Sequence, residues 1–132
     1  MIISAEEFLR LRTSDLQEDQ FRASTDTADI SVWLDIIQNH PDFKVWVVHN
    51  KTIPLEILSL LARDRDPNVR SAVAGKRKID ENIFNLLSTD PDESVRYALI
   101  CNTNLSKDSL LSIQVDDSEW LQLALKEKLA GL

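Results

Sequence analysis

The chain has 132 residues, 43% of them hydrophobic and 28% charged, which is the composition of one folded globular domain and excludes a wholly disordered chain. Its net charge of -7 argues against nucleic acid as the main partner, since phosphate contacts need basic stripes, and its single cysteine, Cys101, leaves no disulfide framework and no cysteine-rich metal site. No apolar run reaches membrane-spanning length and the first residues lack a signal-peptide pattern, so the cytoplasm is the expected compartment.

In chain order, Ser4-Ala-Glu-Glu7 has the form of a capping box and opens a short helix carrying Phe8, Leu9 and Leu11. Residues 1–28 are expected to form an N-terminal cap. Residues 29–52 look like a degenerate helix pair. Trp33, Leu34, Ile36 and Ile37 copy the apolar pattern of Ile57, Leu58, Leu60 and Leu61 at an offset of 24, whereas Phe43, Lys44 and Val47 copy Val69, Arg70 and Val73 at an offset of 26. Trp33 lies in the apolar stripe. Trp46 stands where later units have Ala72 and Ala98, so it either plugs a wider first unit or projects as a binding anchor; the core is the favoured place for both tryptophans.

From Ile53 the pattern becomes regular. Ile53, Ile79 and Leu105 open three units at a spacing of 26, covering 53–78, 79–104 and 105–132. Leu58, Phe84 and Leu110 share a position, as do Leu61, Leu87 and Ile113, then Val69, Val95 and Leu121. Pro54, Asp80 and Ser106 suit the start of a first helix, and Asp66, Asp92 and Ser118 suit the N-cap of a second. Each unit is expected to be a longer helix, a tight turn and a shorter helix of α or 3₁₀ type. A period of this length marks stacked helix pairs, so the predicted fold is an all-α solenoid of about four pairs in a single domain, 1–132.

The run Asp64-Arg-Asp-Pro-Asn-Val-Arg70, echoed by Asp90-Pro-Asp-Glu-Ser-Val-Arg96, resembles HEAT-like repeats and the related leucine-rich-repeat variant. The resemblance covers roughly residues 30–125 and implies a binding scaffold. The iron–sulfur cluster of one variant-repeat protein needs several cysteines, which Cys101 alone does not supply. Gln122 replaces the arginine in the last unit.

Asp64, Asp90 and Asp116 fall near helix C-termini, where a carboxylate needs compensation. They are expected to pair with backbone N–H groups and with Arg70 and Arg96 in a structural ladder. His40 and His49 are the only histidines and no nucleophile has an elbow around it, so no enzyme, cofactor or metal is expected. Cys101 reads as a partly buried thiol. The connectors Asn50-Lys51-Thr52, Lys76-Arg77-Lys78 and Asn102-Thr103-Asn104 are equivalent in register. They read either as solvated loops or as an edge for an acidic partner, with His49, Asn50, Lys51, Lys76, Arg77 and Lys78 as its contacts. Trp120 replaces a polar residue of the other units and is the aromatic expected either to be exposed, as an interface residue, or to cover the C-terminal end. The expected job is to hold another protein. An immunity or antitoxin protein that neutralises a toxin is one alternative and a nucleic-acid-binding HEAT-like protein another; monomer and homodimer both remain open.

Overall fold

Short polar residues at fixed places cut this chain into helices. The computed structural model describes residues 1–132 and is all-helical, with one isolated bridge, Ile2 to Ala28, and no strand. Its contacts cluster into two units, Met1–Leu61 and Ala62–Leu132.

The first unit holds α1 (Ala5–Thr13), α2 (Gln17–Thr25), α3 (Ile30–Asn39), α4 (Lys44–His49) and α5 (Leu55–Leu61). Ser4 caps α1 by accepting from the Glu7 N–H at 3.1 Å, which satisfies one orphan donor of the first turn, while Glu7 Oε1 accepts from the N–H of Ile3, the residue before the cap, at 3.0 Å. Helix α2 was not anticipated: its only buried residue is Ala23, so it lacks the apolar stripe that would have revealed it. The bridge at Ile2, whose N–H donates to Thr27 O at 2.8 Å, ties the end of this cap back to its beginning. A 3₁₀ turn, Pro41–Phe43, joins α3 directly to α4.

Burial corrects the register of α3. Val32, Trp33 and Ile36 are buried there, and Ile57, Leu58 and Leu61 in α5, so the two helices match at an offset of 25 and not 24. Leu34 and Leu60, expected on the apolar faces, are 42% and 47% exposed. Phe8 and Trp33 meet edge to face at 5.5 Å, an arrangement that aligns the positive rim of one ring with the negative face of the other.

The second unit holds α6 (Pro67–Ala74), α7 (Glu81–Leu87), α8 (Glu93–Cys101), α9 (Lys107–Leu111) and α10 (Glu119–Ala130). Asp66, Asp80, Asp92, Ser106 and Ser118 are N-caps whose side chains accept from the first turn. Buried residues recur at the interval of 26: Val69, Val95 and Leu121, then Val73, Leu99 and Leu125. The expected order of helix lengths is reversed. Helices α5, α7 and α9 have 7, 7 and 5 residues, whereas α6, α8 and α10 have 8, 9 and 12. All three of the longer helices are regular α-helices. Each starts from a side-chain cap and buries residues on successive turns.

Candidate functional site

The connectors divide by burial. Asn50 is fully buried and so is no surface contact: its amide donates to Ala23 O at 2.9 Å and Asp26 O at 3.0 Å, while its oxygen accepts from Thr52 N–H at 2.8 Å. Asn102 repeats this bracket in the second unit, donating to Ala74 O and Lys76 O at 2.8 and 2.9 Å and accepting from the Asn104 N–H at 2.8 Å. An asparagine fits because it offers two donors and an acceptor on a short stem, enough to satisfy a turn whose backbone has no helix partner. Asn104 also donates to Arg77 O, at 2.6 Å, so backbone carbonyls of the Lys76–Lys78 connector are held by asparagine side chains. Arg77 and Lys78 are exposed and Lys76 half-buried; the part of the Lys78 surroundings that is buried pushes its ammonium below the ordinary lysine pKa. In the first unit His49 and Lys51 are exposed beside the buried Asn50.

The aspartate–arginine positions form two links. Arg70 grips Asp90 with Nε and Nη2, at 2.8 and 3.1 Å, and donates from Nη1 to the carbonyls of Asp64 and Arg65 at 2.8 and 3.0 Å. The Asp90 carboxylate raises the Arg70 pKa. Asp64 enters through its backbone oxygen, while its carboxylate accepts from the Asp66 N–H at 3.0 Å. Arg96 does not reach Asp116. It grips Asp117 from Nη1 and Nη2, at 2.6 and 3.0 Å, and donates to Gln114 O at 2.8 Å. In this last turn the Ser118 N–H donates to the Val115 carbonyl, so the carboxylate role that Asp64 and Asp90 play two residues before the next cap is vacated and passes one residue on. Asp116 is exposed and contributes its carbonyl to Gln122 at 3.4 Å. The Arg96 guanidinium holds the Asp117 carboxyl below the usual carboxylate range.

Two aromatic clusters face outward. In the second unit Trp120 on α10, 48% exposed, stacks on Tyr97 of α8 with ring centres 4.9 Å apart. Cys101, one turn beyond Tyr97, is exposed, contrary to the partly buried thiol expected, because it ends α8 on the same outward face. The Tyr97 phenol is raised, first by its hydrogen bond with Cys101. In the first unit Trp46 is 41% exposed and not core. The slot it shares with Ala72 and Ala98 is only half-buried in each, so it opens outward and a large ring extends into solvent. The Arg12 guanidinium lies 3.5 Å over the Trp46 ring, and His49 meets that ring edge-on at 5.8 Å.

Tyr97, Arg12 and Phe21 escaped the sequence reading. Phe21, 63% exposed between Gln20 and Arg22, offered one signal: a large apolar side chain with no helical apolar neighbours. No group of three or more His, Cys, Asp or Glu side chains converges as a metal site would. No helix is long and apolar enough to cross a membrane. Compared with known proteins, the chain matches no family model, no curated protein and no solved structure.

Proposed function

We propose that this chain is a non-catalytic helical-repeat protein, a HEAT-like α-solenoid, that holds another protein. The observation that carries the reading is the stacked, half-exposed Tyr97–Trp120 pair. Two aromatic rings that leave much of their area in water are the residue types that supply most binding energy at protein interfaces, and stacking fixes them in place before a partner arrives. Leu123 on α10 is also exposed and adds apolar area on the same helix. The repeat reading is supported by the recurrence of buried positions at an interval of 26 and by the two asparagine brackets, at Asn50 and Asn102. The exposed Arg77 and Lys78 suit a rim that steers an acidic partner toward the aromatic pair.

Cys101 makes the test specific, since a maleimide can attach there and nowhere else. Partners are captured from the native host with unlabelled protein, with Cys101-labelled protein and with Trp120→Ala. The same partner set should be lost with the last two while folding is kept. Equal recovery with all three baits overturns the assignment of the binding face. Changing Lys76, Arg77 and Lys78 to alanine should slow association and reduce its salt dependence with little effect on dissociation.

A further inference from the structure

The first unit contains a cleft whose chemistry differs from the rest of this acidic molecule. It measures about 350 Å³, toward the small end of the roughly 300–1,000 Å³ typical of small-ligand sites. Arg12, Gln17, Gln20, Phe21, Trp46 and His49 line it, and no carboxylate does. In a chain of net charge -7, a concavity walled by an arginine and two aromatic rings is a local reversal of sign.

Arg12 is the centre of that reversal. Its guanidinium carbon lies 3.5 Å from the Trp46 ring centre, a cation–π contact that uses none of the guanidinium N–H groups as hydrogen-bond donors to an acceptor atom. Its Nε is buried and has no hydrogen-bond partner, a donor that costs free energy until an acceptor reaches it. Phe21 offers the apolar half of the site, since it projects from a helix with polar neighbours and remains 63% exposed. Its ring lines the cleft and leaves apolar area there for a ligand to cover.

We propose that this cleft binds a small aromatic carboxylate, the carboxylate forked onto Arg12 and the ring held against Phe21 and the Trp46 indole. The volume sets the size, the guanidinium sets the charge and planar shape of the polar group, and the two rings set the aromatic part. This site is independent of the protein-binding reading and stands or falls apart from it.

The test is a titration of the full chain with phenylacetate, followed by NMR of the Trp46 indole and Arg12 Nε–H signals. Phenylacetamide serves as the neutral match and acetate as the match without a ring. Phenylacetate should saturate and shift both signals, with the amide and acetate each weaker by at least about tenfold. Arg12→Gln should reduce phenylacetate to the level of the amide. Phe21→Ala, a change at an exposed position that folding tolerates, should weaken phenylacetate and phenylacetamide alike and leave acetate unchanged. Equal binding of acid and amide, absence of saturable binding, or unchanged affinity in Arg12→Gln overturns the proposal. Binding by a peptide ending in phenylalanine without binding of phenylacetate overturns the assignment to a small ligand.

Discussion

Arg70 on α6 and Arg96 on α8 each stand four residues after the N-cap aspartate, yet their links differ in which end is buried. Arg70 and Asp90 are both largely shielded, with side-chain exposures of 14% and 6%. Arg96 is almost wholly enclosed at 2%, but Asp117 is 49% exposed. The first link also satisfies more of its atoms, because Asp90 accepts from the Asp92 N–H at 2.9 Å as well as from Arg70. The second leaves the buried Arg96 Nε without a partner. The same residue types at the same spacing therefore make a closed bond in one place and a half-open one in the other. Removing either partner of a closed pair leaves a buried charge; in a half-open pair the cost depends on which partner goes.

The largest effect should come from Arg70→Met, which keeps volume but abandons Asp90 in a dry site. A loss of about 3 kcal/mol is expected in urea unfolding, and a change below about 1 kcal/mol would mean the link is no stronger than a surface pair. Asp117→Ala comes next. It removes an exposed group but leaves the enclosed Arg96 with one carbonyl acceptor, Gln114 O, and should lower the midpoint more than the next variant does. Arg96→Met takes away the enclosed charge together with its unpartnered Nε and leaves Asp117 to water, so its cost should stay under about 1 kcal/mol. If Arg96→Met destabilises as much as Arg70→Met, the distinction between closed and half-open links fails.

Acid gives the smallest and most selective test. The Asp117 pKa is depressed in the folded chain, by its hydrogen bonds with Arg96 before any other cause. Its contribution is therefore present above the unfolded carboxyl pKa and is lost as pH falls through the lower, folded value. The stability gap between the wild-type chain and Asp117→Asn should be open near neutrality and close as pH drops below the ordinary carboxylate range. A gap that persists in acid means the aspartate acts through shape and not through charge.

Helices were legible where capping residues and apolar spacing agreed. Asp66, Asp92 and Ser118 each stood before a run with apolar residues at helical spacing, and each is an N-cap. Helix α2 was invisible because local polarity hid it: tertiary closure at Ile2 and Ala28, not periodicity, holds that segment. Trp46 was misplaced because its slot was judged by the small size of Ala72 and Ala98, and small size does not distinguish a crowded position from an open one. The link between Arg96 and Asp117 lay beyond reach for a related reason. Two adjacent aspartates, Asp116 and Asp117, offered the same charge, and only the turn geometry selects between them. The Arg12 cleft required two helices from one end of the chain to meet a third, which spacing does not encode.

The two buried asparagines carry a consequence for the chemical ageing of the protein. Spontaneous deamidation converts an asparagine amide to a carboxylate. At Asn50 or Asn102 that change would replace two donors by an oxygen pointed at carbonyl oxygens 2.8 to 3.0 Å away. Attraction would become repulsion, and a buried acid would be left behind. The same brackets immobilise those side chains and restrict the rotation that cyclisation onto the following N–H demands. Molecules held folded should therefore keep both amides over long storage, while each episode of unfolding exposes them, and a chain that deamidates there while open is hindered from closing again.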